Sequence, residues 1–486
     1  MKIKNVRMGF ATNSSSTHSI IFAGTNDPSL TVSSESGSLE YGWDRFICDS
    51  KEKKRDYFAA QLITTLNNHL GEDVSAYVVK GLFGINIEKG QYGYPYGVDH
   101  QSRWDIPVDF NGDPNVEFYK EFAYSVINNE KLNVLGGNDN TSYTDEAQVK
   151  EPAEYSWLQQ VNEVSKENAP IAYKTKSGDW VLFNKGSGSK IVLNFEQEEM
   201  VKEDYKAEHP ELIDLKITDY CPIGCTYCYQ DSTTKGAHAP LKAIRGLLPW
   251  TNEGLFEIAI GGGEPTMHPE FVDILKTIKE NNIIANFTTK NKDWFSNIEF
   301  ACSVLDNVGA FAYSIDTAYE AEKVLKKYES LCDLLENYKY QGKINFQYIP
   351  EGNDLGELER IIKVLEEIGF NNSLTLLGYK TTGRGGSIPY KHDLINELLR
   401  LKQKYKIYFN IGIDTVLAKR FESDLKTKNV SDLLFYKEEG KHSMYIDAVD
   451  MKYGASSFTD TYHEIKTANG YSPVSLKKMF EKIKVE

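Results

Sequence analysis

From residue 211 onward the apolar positions follow two alternating rhythms. Seven short runs alternate with period two: "LIDLKIT" (212–218), "LFEIAI" (255–260), "IIANFTTK" (283–290), "AFAYSID" (310–316), "KINFQYI" (343–349), "SLTLLGY" (373–379) and "IYFNIGI" (407–413). These predict strands. Between several of them the period lengthens to that of a helix. One predicted helix begins at Pro269 and puts Phe271, Ile274, Leu275 and Ile278 on one face. Another puts Leu358, Ile361, Ile362, Leu365 and Ile368 on one face. Strand–helix alternation of this kind implies a parallel sheet wound by right-handed crossovers.

Parallel strands buried on both faces are apolar throughout. Here one face is polar. Asp214, Lys216 and Thr218 alternate with Ile213, Leu215 and Ile217, and the same holds for Asn286, Thr288 and Lys290, for Ser314 and Asp316, for Lys343, Asn345 and Gln347, and for Asn410 and Asp414. The apolar face packs on helices, and the polar face lines an interior that holds something polar. The expected fold is α/β: a partial (β/α)6 TIM-like barrel over residues 206–415, preferred to a doubly wound open sheet. Residues 1–205 read as an irregular α+β domain with one hairpin, "DWVLFN" and "SKIVLNF" around a "KGSG" turn. Residues 416–486 read as a short C-terminal extension that caps the barrel mouth.

The length, 486 residues, suits two or three domains. A net charge of −15 argues against a general nucleic-acid binder, which needs a basic surface. The first residues carry no continuous apolar stretch of the secretory kind, and no run of 18 apolar residues occurs. The expected compartment is the cytoplasm, where thiols stay reduced.

That changes the reading of the six cysteines. Cys48, Cys302 and Cys332 are scattered, and Cys332 sits on an apolar helical stripe with Ala321, Leu325, Tyr328 and Leu335, as a small buried hydrophobe does. Cys221, Cys225 and Cys228 crowd into "DYCPIGCTYCYQ" directly after the first barrel strand, at the C-terminal face where such folds keep their chemistry. Three thiolates suit a soft metal site. A four-iron cluster held by three cysteines keeps one iron open for a substrate or cofactor. The bland alternative is zinc, with His209 or His238 completing four ligands. The second strand runs into "GGGEPTMHPEF". Its glycines let the backbone approach a ligand closely, it lacks the phosphate-loop pattern, and the carboxylate of Glu264 suits a cationic amine.

The pair of motifs, C-x3-C-x-aromatic-C after the first strand and Gly-Gly-Glu-Pro after the second, resembles the radical S-adenosylmethionine (SAM) enzymes over about residues 211–415. The resemblance implies that Cys221, Cys225 and Cys228 hold a [4Fe–4S] cluster whose open iron is chelated by the amine and carboxylate of SAM. It implies that Gly262, Gly263 and Glu264 meet the SAM amino group and that Tyr227 lies at the adenine. It also places Ser314 and Asp316 at the ribose or carboxylate. One electron, from a donor such as flavodoxin or ferredoxin, then cleaves SAM to methionine and a 5′-deoxyadenosyl radical that abstracts hydrogen from a substrate. The stretch "KHSMYIDAVDMKYGASSF" is similar to the family's SPASM or twitch extensions, with serine and alanine in place of their cysteines, so one cluster is expected.

Lys290, Gln347, Lys380 and Arg384 are candidates for substrate contact at the lumen or rim, each weighed against a plain structural role. His268, before Pro269, reads as a helix-entry residue and His238 as a loop residue. "GFATNSSSTHSIIF" reads as a turn-rich segment, or as a tag or peptide-like segment lying in the enzyme's own substrate groove. The expected substrate is a peptide or protein, recognised by the N-terminal domain. The alternatives are a small molecule or RNA, or a cluster- or zinc-binding scaffold without turnover.

Overall fold

The computed structural model describes residues 2–7, 40–41, 46–48, 50–70, 72–85, 97–98, 106–128, 134–136, 170–195, 205–247, 254–335, 338–351, 355–387, 393–407, 409–427, 438–465 and 475–483. The "GFATNSSSTHSIIF" segment lies outside them. Contacts divide the chain into two units, one built mainly of residues 21–186 and the other mainly of residues 204–486.

The first unit holds three helices that the sequence reading did not single out: Lys51–Leu70, Glu72–Phe83 and Val116–Ile127. Phe58, Leu62, Leu66, Val79, Tyr119 and Val126 meet in a core of their own, and Cys48 is buried there as a small hydrophobe. Asn115 caps the third helix by accepting from the Phe118 N–H at 3.0 Å. The strand Ile171–Lys174 pairs antiparallel with Trp180–Phe183, and Lys190–Asn194 follows as the second arm of the expected hairpin.

In the second unit seven parallel strands form the body of one sheet: β1 (Leu212–Thr218), β2 (Glu257–Gly262), β3 (Ile284–Thr289), β4 (Phe311–Ser314), β5 (Ile344–Tyr348), β6 (Ser373–Leu376) and β7 (Asn410–Ile413). They lie side by side in chain order, from β1 to β7. Each predicted period-two run overlaps one of them. The helices between them include α1 (Phe271–Glu280), α2 (Ala318–Leu334) and α3 (Leu355–Ile368). Phe271, Ile274, Leu275 and Ile278 of α1 are buried, as are Leu358, Ile361, Ile362 and Leu365 of α3. Each such burial contributes about 1.5–3 kcal/mol. Cys332 is buried on α2.

The residues after 415, expected as a cap, enter the sheet itself. β8 (Ser443–Asp447) pairs parallel with β1, and β9 (Lys452–Gly454) and β10 (His463–Glu464) add two antiparallel strands beyond it. Lys216 of β1 and Asp447 of β8 form an ion pair at 3.0 Å. The sheet therefore runs from β7 at one edge to β10 at the other and is open among the described residues. No helix among the described residues is long and apolar enough to cross a membrane.

Candidate active site

All the motif residues lie beyond the C-terminal ends of the strands, and their placement starts with the loop after β1. Its base is crossed by main-chain hydrogen bonds: Asp219 N to Ala237 O at 2.8 Å and Cys221 N to Thr233 O at 2.9 Å. Gly236 permits this crossing, since a Cβ there would stand 2.1 Å from Asp219 O. Gly224 turns the chain at φ +73° between the first two cysteines. Cys221, Cys225 and Cys228 are free thiols, each partly exposed. Burial pushes the thiols of Cys221 and Cys225 above the usual range, and the nearby Lys290 ammonium opposes this at Cys225.

Three thiols on one loop are a donor set of the kind that holds an iron–sulfur cluster. Among the described residues no group of three or more His, Cys, Asp or Glu side chains is placed to hold a single metal ion. The histidines offered for zinc are placed elsewhere. His209 abuts Gly254, ahead of β2 and so at the opposite end of the strands. The Nδ1 of His238 lies 2.8 Å from Thr218 Oγ1, and its ring packs edge-on against His268. His268 is fixed in turn, with Nε2 2.8 Å from Ala239 O and Nδ1 accepting from the Glu270 N–H.

The glycine run allows one backbone to approach another closely. Gly262 adopts φ +124°, and a Cβ on it would stand 2.2 Å from Thr218 O. A Cβ on Gly263 would stand 2.1 Å from Tyr220 O. The glycines thus bring β2 against the backbone of the cysteine loop, where Gly263 N donates to Thr218 O at 2.7 Å and Glu264 N donates to Tyr220 O at 2.8 Å. Glu264 is 2% exposed. Its carboxylate accepts from Thr266 N, Thr266 Oγ1, Thr289 Oγ1 and Lys290 N at 3.2, 2.7, 2.7 and 3.0 Å. Burial raises its pKa while these four donors oppose the rise. The carboxylate therefore braces the turn and the end of β3. Thr266 and Thr289 were missed by the sequence reading, although two hydroxyls flanking a glutamate at strand ends are a legible sign of such a brace.

Facing this turn, three side chains close a triangle. Tyr227 OH donates to Asp316 Oδ1 at 2.5 Å, Lys290 Nζ donates to Asp316 Oδ2 at 2.5 Å, and Lys290 Nζ donates to Tyr227 OH at 2.8 Å. Burial and the Asp316 charge push the Tyr227 phenol well up. Lys290, a substrate candidate, is thus brought together with two residues that the family resemblance gives to SAM. Ser314 ends β4 in register with Gln347 of β5, and Gln347 is buried, with Thr288 Oγ1 at 3.5 Å from its amide oxygen. Lys380 lies over the rings of Tyr229 and Phe458, 4.5 and 4.8 Å from their centroids. Arg384 grips the cysteine loop.

One buried charge was not singled out by sequence. Asp214, on the polar face of β1, is 8% exposed, and its Oδ1 has no hydrogen-bond partner among the described residues. Burial raises its pKa to about 7. The Glu439 charge adds to the rise and Lys380 opposes it.

Residues 215–343 match the model of the radical SAM superfamily. The GTP 3′,8-cyclase of Photorhabdus laumondii is 40% identical over 74 residues, which cover 14% of this chain and 23% of the cyclase. The match therefore spans less than a quarter of that relative. Streptococcus suis SuiB bound to S-adenosylmethionine superposes with a TM-score of 0.37 at 14% identity, covering 53% of this chain and 63% of SuiB. SuiB bound to its precursor peptide SuiA gives 0.38 at 12% identity, covering 57% and 79%. The three-thiol loop and the Gly262–Glu264 turn both lie within the matched stretch. Over that stretch, residues 215–343, the chain is similar to the radical SAM superfamily.

Proposed function

We propose that this enzyme cleaves SAM reductively at the loop after β1 and uses the resulting radical to abstract hydrogen from a peptide or protein. The observation that carries the site assignment is the junction of the two motifs. The loop bearing Cys221, Cys225 and Cys228 is tied to the Gly262–Gly263–Glu264 turn by two short main-chain hydrogen bonds. In this reading the three thiolates hold a single cluster. When bound, that cluster supplies the one electron that breaks a carbon–sulfur bond of SAM, and an external donor such as flavodoxin or ferredoxin restores it.

The chain's own residues do the rest. The Gly262–Glu264 backbone, shaped by the Glu264 carboxylate, receives the SAM amino group. Asp316 and Ser314 receive the ribose or carboxylate, and Tyr227 flanks the adenine. Lys290 holds Asp316 in place until SAM arrives. The polar face of the sheet, with Gln347 and Lys380, meets the substrate. A polypeptide substrate is supported by the size of the first unit and by its independent core, neither of which the cluster or SAM requires.

The test has two arms. Anaerobically reconstituted protein is expected to hold about four irons with broad thiolate absorption, as such clusters do. Cys225→Ala is expected to lose the iron and Cys332→Ala to keep it. Finding one zinc and no iron would overturn the site. With dithionite and SAM, 5′-deoxyadenosine formation is then followed as size-fractionated host extract is added. Acceleration by a protease-sensitive fraction supports the peptide reading. Acceleration by a nucleotide fraction would instead favour a substrate like that named for the cyclase relative, and acceleration by an RNA fraction would favour RNA.

A further inference from the structure

Within Pro222–Asp231 the cysteine loop's own backbone makes two backbone hydrogen bonds, Cys228 N to Cys225 O at 3.3 Å and Asp231 N to Cys228 O at 3.2 Å. Both are long, so the segment carrying two of the three thiols is weakly held from within. It is held instead by the loop after β6. Arg384 N donates to Cys228 O at 2.9 Å, and Arg384 Nε donates to Cys225 O at 3.1 Å. Its Nη1 donates to Asp231 Oδ1 at 2.7 Å, and Nη1 and Nη2 both donate to Ser232 O at 3.1 Å. A guanidinium suits this task because its planar fork delivers several donors in fixed directions.

The residues around Arg384 make the grip possible. Gly383 takes φ +58°, and a Cβ on it would stand 2.4 Å from Tyr229 O. Thr382 Oγ1 donates to that same oxygen at 3.3 Å. Tyr379 OH donates to Gly385 O, and the Tyr379 N–H donates to the buried Glu351 carboxylate at 2.7 Å. The β6 loop is therefore anchored on one side and pressed onto the cysteine loop on the other.

We infer that Arg384 is a positioning residue for the cluster: its side chain fixes the carbonyl of Cys225 and the loop's exit at Asp231 and Ser232, and with them the directions of the thiolates, while its main-chain N–H holds the carbonyl of Cys228 in every variant. Its side chain makes four hydrogen bonds to the cysteine loop, which places its role there and not with the substrate. The inference rests on Cys225 and Cys228 being cluster ligands. The two stand apart in experiment, because Cys225→Ala removes a ligand whereas Arg384 variants keep all three.

The test uses the anaerobically reconstituted full chain without substrate. Iron release to a chelator and the electron paramagnetic resonance spectrum of the reduced cluster are recorded for Arg384→Ala and Arg384→Lys. Partners that orient metal ligands typically change metal retention by about ten- to a hundred-fold. Arg384→Ala is expected to release iron at least about tenfold faster and to broaden or shift the reduced spectrum. Arg384→Lys keeps the charge but loses the fork, so it is expected to recover retention only in part. If Arg384→Ala fails to fold, Arg384→Lys at native melting temperature decides. A wild-type release rate and spectrum in every variant that folds would overturn the inference and return Arg384 to the substrate.

Discussion

Replacing Asp214 with Asn isolates the buried carboxylate on β1 whose Oδ1 has no hydrogen-bond partner among the described residues. Its folded-state pKa, about 7, lies above the ordinary 3.8. Folding therefore favours the neutral acid. The stability this group contributes is complete below pH 3.8, declines as the pH rises, and is gone above about pH 7. The full span is worth about 4 kcal/mol at 1.36 kcal/mol per unit. Between pH 5.5 and pH 7 the loss is about 2 kcal/mol. The second unit has about 280 residues, for which the unfolding entropy is about 0.6 kcal/mol/K, so this corresponds to about 3 °C. Asn has no such titration. The assay is differential scanning calorimetry of reconstituted wild type and Asp214→Asn from pH 5.5 to 8.5. The melting temperature of the variant is expected to gain on the wild type by about 3 °C up to pH 7.5 and then run parallel to it. Titrating groups that do not act on Asp214 are common to both chains and cancel, which leaves the carboxyl together with its coupling to Glu439 and Lys380. A difference that stays constant across the range, or that shrinks as pH rises, would refute the reasoning.

Gly263→Ala places a methyl group 2.1 Å from Tyr220 O. It is expected to part the β2 turn from the cysteine loop, lowering both iron content and SAM affinity by at least about tenfold, measured by iron assay and equilibrium dialysis. Asp316→Asn removes the charge shared by Tyr227 and Lys290. It is expected to weaken SAM binding by about tenfold in calorimetric titration, since a charged hydrogen bond contributes about 1.5–3 kcal/mol, while iron content stays at the wild-type level.

The strands were legible because five of them alternate polar and apolar residues and the others are short apolar runs between helical stretches, and the cysteine loop because three thiols crowd within eight positions. Contacts between distant parts of the chain were not legible. The grip of Arg384 on Cys225 O spans 159 positions. Nothing local to "TTGRGGS" says which carbonyls its guanidinium meets, and an arginine beside glycines at a rim reads equally well as a substrate contact. The same limit hid the inward direction of Glu264, whose partners come from the ends of two strands. It also hid the place of "SMYID", whose apolar character predicts a strand but not a neighbour. The helices of the first unit were missed for another reason. Lys51–Leu70 opens with charged residues and has a weakly segregated apolar face, so its periodicity is faint against the loops around it.

The pairing of β8 with β1 has a consequence for synthesis. Lys216 and Asp447 are 231 positions apart. At about 5–20 residues per second, β1 leaves the ribosome roughly ten to fifty seconds before its partner exists. Throughout that interval the strand that carries the cysteine loop presents an open hydrogen-bonding edge, and such edges invite pairing with other chains. Yield of soluble protein should therefore depend on how fast the stretch between Lys216 and Asp447 is translated and on whether a chaperone covers that edge. Slow codons downstream of "GGGEP" would harm expression even though they lie outside every motif.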